Sequence, residues 1–351
     1  MKIAIDCRFW GKSGIGTYLE NIVDCLLRFH QEHQYLLICN NDMVDRKGNV
    51  EVYLTDITPF SLKELFCFPV SIINQCDAYF CPYFNLPLGI RVPVYTTIHD
   101  VIFLDRRELT SRVGYLLRRL YLWYAVKVSR KIFTVSEFSK SRIVHHFHPQ
   151  KDIVVVYNSV SMGIRTWVSN NKVPSEKKEY ILYVGNIKQH KGLKVLLSAF
   201  QSATRESYGS ELYIVGEAGK FRTTDTEVVE ELLENSRIKF TGYVPNQELY
   251  RLMAEAKLLV LPSFYEGFGL TPLEALYLGT DVLMSDIPVL KEVYKDFPVS
   301  FFKVGDADSL KRHLLMFERK NKDVGITKKY IDTRYNIEEI TNIMLTTILA
   351  V

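Results

Sequence analysis

No apolar run in this 351-residue chain approaches the ~18 residues that a membrane-spanning helix needs. The opening MKIAID already reads as a strand, so a secretory leader is not expected. Low-complexity segments are absent. Six cysteines (Cys7, Cys25, Cys39, Cys67, Cys76, Cys81) all fall in the first quarter, and none forms a Cys-x-x-Cys pair. They are expected to be reduced thiols of a cytosolic protein, several of them in the core. A strong charge of either sign is also lacking. The net charge of +4 permits an anionic partner without requiring one, and no nucleic-acid partner is expected. A last absence concerns Gly14-Ile15-Gly16, which follows the first apolar strand. Position 19 is leucine where a dinucleotide fingerprint has its third glycine, and the second strand ends in Cys39-Asn40 with no acid to hold a ribose. A dinucleotide site is therefore disfavoured. The loop reads either as a tight strand-to-helix turn or as a phosphate or acceptor loop.

Apolar residues make up 47% and charged residues 24% of the chain, the balance of an ordinary globular protein long enough for two cores. Short apolar strands are expected at 2–6, 35–39, 52–54, 78–80, 94–98, 131–135 and 153–156, with helical spacing between several of them. The polar stretch Val160 to Lys178 breaks the pattern and reads as a linker. Strands resume at 180–184, 212–215, 238–241, 258–261 and 281–284. A closing helix begins near Asn336, with Ile340, Met344, Ile348 and Leu349 as its stripe. The chain is thus assigned to the α/β class, as two doubly wound Rossmann-like domains facing across a cleft. The expected boundaries are 1–168, 169–332, and a returning helix over 333–351.

The most informative stretch is LLVLPSFYEGFGLTPLEALYLG, Leu258 to Gly279. A buried strand hands over to a glycine-containing loop and then to a helix. Thr271 reads as its N-cap, Pro272 as its first residue and Glu274 as the third position of a capping box. Such a helix start offers free N–H groups and a positive dipole end to an anion. Glu266 and Glu274 flank the spot, and as residues alone they are open to an acid/base role or to a capping role for Glu274.

Other constellations cluster at strand ends. His99-Asp100 follows the 94–98 strand, where a histidine donates to a substrate hydroxyl or forms a structural pair with the aspartate. Gly185-Asn186 and Lys191-Gly192 follow the first strand of the second half, where lysine suits a diphosphate. Arg106 to Lys131 is basic and aromatic. Leu116, Leu120, Trp123 and Val128 are expected to pack inward, with Arg112, Arg118, Arg119 and Lys127 outward. That helix is either a core helix with a solvated face or a contact for anionic lipid. His145-His146-Phe147-His148 lacks spaced partners, and no metal site is expected there.

Read together, FYEGFGLTPLEALYLGTDVLMSDIPVLKEV, YVGNIKQHKGLKVLLSAF, LYIVGEAG, IKFTGYVPNQELYRLMAEAKLLVLPS, TTIHDVIFL and GIGTYLENI resemble, in order, the retaining GT-B glycosyltransferases of family 4 with their Glu-x7-Glu motif. The resemblance implies transfer of a hexosyl residue from a nucleotide diphosphate sugar to a glycan or lipid-linked acceptor, with retention. It implies no cofactor and no metal, and a cytoplasmic enzyme of cell-surface polysaccharide synthesis at the inner face of the membrane. By that resemblance Glu274 holds the ribose hydroxyls and Glu266 the donor-sugar hydroxyls. The backbone of Gly267, Phe268, Gly269 and Leu270 meets the sugar and diphosphate. Gly185, Asn186, Lys191 and Gly216 line the donor site, with Lys191 on the diphosphate, and Tyr243 and Val244 flank the base. His99 sits beside the transferred sugar, and Gly14, Ile15 and Gly16 approach phosphate or acceptor. The reacting groups are then His99, Glu266 and Lys191. Asn186 stands where many relatives carry arginine, with Lys188 as the substitute cation. The absence of an Asp-x-Asp motif beside a small-residue strand end fits metal-free chemistry. Alternatives are a GT-B sugar-nucleotide epimerase and a non-catalytic nucleotide-sugar binding protein.

Overall fold

A computed structural model of the chain describes residues 1–41, 48–206, 208–216 and 236–350. The chain divides into two compact units. The first comprises Met1–Arg107, Ser111–Ser161 and Tyr335–Val351, the second Glu108–Thr110 and Met162–Arg334.

Among the described residues the first unit is built on a seven-stranded sheet. Its strands are β1 (Lys2–Asp6), β2 (Gln34–Cys39), β3 (Val50–Leu54), β4 (Ala78–Cys81), β5 (Val94–Thr97), β6 (Lys131–Thr134) and β7 (Ile153–Val155), in the order β3-β2-β1-β4-β5-β6-β7. Every pairing is parallel, with Ile3 of β1 opposite Tyr35 on one side and Ala78 on the other. Apolar runs make this arrangement possible, because central parallel strands are buried on both faces. The order reverses direction between β1 and β4. The Ser13–Phe29 helix buries Leu19, Ile22, Val23, Leu26 and Leu27. The closing helix Ile337–Leu349 packs into the same unit. Asn336 caps it by accepting from the Glu338 and Glu339 N–H groups at 2.8 and 3.1 Å. Its Met344 sulfur accepts from the Tyr18 hydroxyl at 3.6 Å, and the Ile348 carbonyl from Tyr95 at 3.1 Å. Leu345, rather than Leu349, completes its buried stripe.

Two expectations fail here. The stretch expected as a linker contains the helix Met162–Asn170, with Ile164 and Trp167 buried. The Ile164–Trp167 spacing is helical, but it was hidden by the polar residues around it. The second failure concerns the basic aromatic segment, which forms the helix Arg112–Val128 with its cations outward as expected but a different apolar stripe inward. Leu122 and Val126 are buried beside Leu104, Ile132 and Ile143, and Ala125 is buried in the cluster that holds Tyr79 and Val94. Leu116, Leu120, Trp123 and Val128 are 62, 57, 47 and 37% exposed. The segment carries two apolar stripes, and the one with small and β-branched residues is the one that faces the core.

Among the described residues the second unit has six parallel strands, β8 (Lys178–Val184), β9 (Glu211–Val215), β10 (Ile238–Gly242), β11 (Ala256–Leu261), β12 (Asp281–Ser285) and β13 (Ser300–Phe302), ordered β10-β9-β8-β11-β12-β13. Its direction reverses between β8 and β11.

Beyond the carboxyl end of β1 the first unit buries a charge network. Arg8 grips Asp6 with two bonds, Nε to Oδ1 at 2.9 Å and Nη2 to Oδ2 at 2.6 Å, and its Nη1 donates to the Ile57 carbonyl at 3.1 Å. The same guanidinium also bonds Glu64 and the Tyr83 hydroxyl. The Tyr83 hydroxyl lies 2.9 Å from Asp6 Oδ2 and 2.5 Å from Glu64 Oε1 and donates its one proton to one of them at a time. All three charged side chains are fully buried. Burial works against the charged Arg8, but the charge and hydrogen bond of Asp6 outweigh it and hold the guanidinium protonated. Removing Arg8 would leave two buried carboxylates without a cation. Arg8→Met is expected to lower the unfolding free energy by ~3–5 kcal/mol, read by guanidinium denaturation at pH 7; a loss below ~1 kcal/mol would contradict the network's role.

Candidate functional site

In open α/β sheets, ligands bind beyond the carboxyl ends of the strands where the strand order reverses. In the second unit that point lies between β8 and β11, and the two loops leaving it are locked together. The Phe264 N–H donates to the His190 carbonyl at 2.8 Å. Gly192 adopts φ +66°, and a Cβ there would lie 2.0 Å from the Pro262 carbonyl oxygen, so only glycine permits the approach. This contact sets Lys191 beside Glu266. The Lys191 Nζ meets both carboxylate oxygens, at 2.8 and 3.0 Å, and the Ser263 hydroxyl donates to Oε1 at 2.7 Å. The two side chains are 26 and 11% exposed, so the pair is accessible from solvent.

The neighbouring loops pack equally closely. The Gly185 N–H donates to the Val215 carbonyl at 2.9 Å and the Gly216 N–H to that of Gly242 at 3.0 Å. A Cβ on Gly216 would lie 2.1 Å from the Gly185 carbonyl oxygen. Asn186 follows, its carbonyl accepting from the buried Tyr183 hydroxyl at 3.2 Å. Past β10, Tyr243 is 70% exposed and Val244 partly buried. An exposed ring at a strand end offers a stacking face to a planar base.

The helix after β11 starts earlier than the sequence suggested. It spans Leu270–Tyr277, and its N-cap is Gly269, at φ +82°, not Thr271. The capping box is therefore not formed. Glu274 lies in the second turn, where it cannot reach back to the cap. Gly269 prevails because its left-handed backbone is held by the Tyr294 hydroxyl on its carbonyl and by Leu290, 2.6 Å from a would-be Cβ. Phe268 is buried against Tyr294 (ring centroids 6.5 Å apart), and Gly267 is partly exposed. Burial pushes the Glu274 carboxyl up to about 8, so it is largely protonated at pH 7.

The other candidates lie in the first unit. His99, past β5, donates its Nε2–H to the Pro82 carbonyl at 2.8 Å, and its ring meets Tyr18 edge-on at 4.8 Å. Burial lowers its pKa to about 4, against the raising effect of that carbonyl. The imidazole is neutral at pH 7 with its lone pair on Nδ1. His99 therefore offers a substrate an acceptor, correcting the donor role first assigned to it. Gly14 is exposed in the first turn of its helix with open space around it. Ile15 packs partly into the core. Gly16 is buried, and a Cβ there would lie 2.4 Å from the Phe9 carbonyl oxygen, so its role is the strand-to-helix turn. His146 is engaged by Asp105 at 2.7 Å, together with Arg142.

The family model for glycosyl transferases group 1 matches residues 166–334, and that for glycosyltransferase family 4 matches residues 12–162. The chain belongs to this glycosyltransferase family. Among curated relatives, it is 31% identical to O-antigen chain mannosyltransferase B of Escherichia coli, over 68% of this chain and 64% of that one. It is 30% identical to O-antigen chain mannosyltransferase RfbU of Salmonella typhimurium, over 59 and 60%, and 29% identical to a Mycobacterium tuberculosis glycogen synthase, over 57 and 48%. The match thus spans between about half and two thirds of these relatives' lengths. Two solved structures are similar at 16% identity. Sucrose-phosphate synthase from Thermosynechococcus elongatus has a TM-score of 0.77 over 99% of this chain and 98% of that one. Anabaena HepE, solved with UDP-glucose, has 0.72 over all of both chains. At that identity the likeness is one of fold, and the fold is GT-B.

For this glycosyltransferase, sequence reasoning missed the Arg8 network and the hydrogen bond from Ser263 to Glu266. Ser263 sits three residues before Glu266, a spacing compatible with a local turn, but nothing in the sequence marked Glu64 as buried.

The Glu274 shift has a testable sign. Its carboxyl holds a proton in the folded state between the ordinary value of 4.5 and about 8, where the unfolded chain has lost it. Stability from this group is therefore fully present below pH 4.5 and is lost as pH rises through about 8. Glu274→Gln is expected to flatten that part of the melting-temperature profile in ligand-free protein. A profile identical to wild type between pH 5 and 9 would contradict a protonated Glu274.

Proposed function

We propose that this chain transfers a hexosyl residue from a nucleoside diphosphate sugar to a glycan or lipid-linked acceptor in cell-surface polysaccharide synthesis. It does so with retention of configuration and without a metal. The observation that carries the reading is the Lys191–Glu266 pair at the switch point of the second sheet, beside the N-terminus of the Leu270–Tyr277 helix. Family membership and the O-antigen mannosyltransferase relatives support it and make mannose the first donor sugar to test.

The chemistry follows from charge. A departing nucleoside diphosphate gains negative charge in the transition state, and groups already aimed at it stabilise that charge. Without ligand, Glu266 neutralises Lys191. The donor diphosphate takes over Lys191 and the helix N–H groups, and the released carboxylate accepts from donor-sugar hydroxyls. Glu274 binds the ribose and Tyr243 flanks the base. Ser263 keeps the released Glu266 carboxylate oriented as a hydroxyl acceptor, so we read it as a clamp and not as a nucleophile. Displacement then takes place on the front face through an oxocarbenium-like ion pair. Lysine and the helix dipole supply the positive charge that a divalent cation would otherwise supply.

We read the Arg112–Val128 helix as a membrane-surface contact. Val113, Leu116, Leu117, Leu120 and Trp123 are exposed on it. Arg112, Arg119 and Lys127 are also exposed, Lys127 lying over the Trp123 ring at 4.9 Å, and the helix has no acidic residue. Exposed apolar side chains among cations fit an anionic leaflet, where a lipid-linked acceptor resides.

Lys191→Ala or Glu266→Ala is expected to reduce transfer ~10²–10³-fold at unchanged melting temperature, and a chelator is expected to leave the wild-type rate unchanged. Wild-type turnover by either variant would sink the site assignment. Thermal shifts with GDP, UDP and dTDP identify the base, since only the matching nucleotide stabilises by mass action. Wild-type protein is expected to sediment with phosphatidylglycerol vesicles at low salt and not with phosphatidylcholine alone. Leu116→Glu/Leu120→Glu should remain in the supernatant, and equal sedimentation of both proteins would refute the membrane contact.

A further inference from the structure

The first sheet has its own switch point, between β1 and β4, and an aromatic group stands there that the donor reading does not use. Phe60, in the loop after β3, meets Phe9 beyond β1 at 5.7 Å, and Tyr83 and Phe84 beyond β4 at 5.4 and 5.6 Å. Phe9 and Tyr83 also meet, at 4.8 Å. Although braced by three rings, Phe60 remains 53% exposed. Its backbone has φ +63°, the left-handed region that a bulky L-residue adopts only under constraint.

The constraint is visible. The Phe60 N–H donates to Glu64 Oε2 at 2.8 Å, and Glu64 is fixed below by Arg8, Tyr83 and Asn85. The Ser61 hydroxyl closes the turn on the Thr58 carbonyl at 2.7 Å. A folding chain gains by burying a phenyl ring and by relaxing its backbone. Here a buried carboxylate holds a strained residue in place and leaves its ring open to solvent. Local strain that the surroundings enforce is a mark of a ligand-contacting position.

We propose that Phe60 is the floor of an acceptor-sugar subsite, stacking on the apolar face of a pyranose ring. The C–H bonds on that face are weakly positive and the phenyl face is negative, while the sugar hydroxyls radiate outward to water and polar neighbours. A flat ring held in one geometry suits a rigid ring. A flexible isoprenoid tail gains nothing from such fixing, though Leu62 and Phe66, 72 and 74% exposed on the adjoining helix, make it the rival occupant. The inference rests on the glycosyl-transfer reading.

The test uses the full chain with methyl α-D-mannopyranoside and methyl α-D-glucopyranoside as probes, and farnesyl phosphate as the tail without a sugar. Phe60→Gly removes the ring and relieves the backbone strain while losing three ring contacts and loosening the unfolded chain, so a melting temperature modestly below that of wild type is expected and binding is compared on folded protein. Saturation transfer from protein to glycoside ring protons should be lost in Phe60→Gly and retained in Phe60→Trp. In transfer assays the acceptor KM should rise about tenfold, with donor hydrolysis unchanged. Glycoside binding in Phe60→Gly equal to wild type overturns the proposal, as does binding of farnesyl phosphate through Phe60 with no glycoside bound. Nucleotide thermal shifts on wild type separate the two readings. Their absence fails the transferase reading, whereas their presence with Phe60-independent glycoside binding fails this inference alone.

Discussion

In a parallel sheet every strand ends on the same edge, and where the strand order reverses two adjacent loops leave in opposite directions. That constraint, imposed by connection geometry before any chemistry, decides where this protein can hold charge. Each unit has one such point, β1 against β4 and β8 against β11. The side chains with most to explain sit beyond those two pairs of strand ends.

The units use this edge in opposite ways. In the first, the charges are sealed. Asp6, Arg8 and Glu64 have no exposed side-chain surface, and removing one partner strands the others in a medium that solvates them poorly. Such a network is suited to fixing loops in place. In the second, Lys191 and Glu266 keep 26 and 11% of their side chains exposed. An ion pair that water reaches can exchange its counter-ion, and in the proposed function a phosphate would take the place of the carboxylate. Burial thus separates a structural charge cluster from an exchangeable one, although both are built from a cation and carboxylates.

The strands, most helices and the glutamate loop were legible in the sequence because apolar period and glycine placement are local signals. The Arg112–Val128 face was not legible, because both of its stripes are apolar and only the packed structure shows which one the core accepts. The capping box failed for a related reason. Thr271 and Glu274 have the right spacing, but Tyr294 and Leu290, distant in sequence, make Gly269 the cap. His99 was found, but its hydrogen-bonding direction depends on the Pro82 carbonyl, which no motif announces. Phe60 and Glu64 carried no sequence signal, since backbone strain and burial emerge only when β3, β2, β1 and β4 are assembled into one sheet.

The close approach of Gly192 to Pro262, with the His190–Phe264 hydrogen bond beside it, also bears on timing. Lys191 and Glu266 ride on two loops bolted to each other, so the backbone cannot draw them apart. Separation falls to rotations of two partly exposed side chains, events of roughly picoseconds to nanoseconds. A ligand that bound this pair as proposed would wait on no loop opening within the unit, only on side-chain rotation.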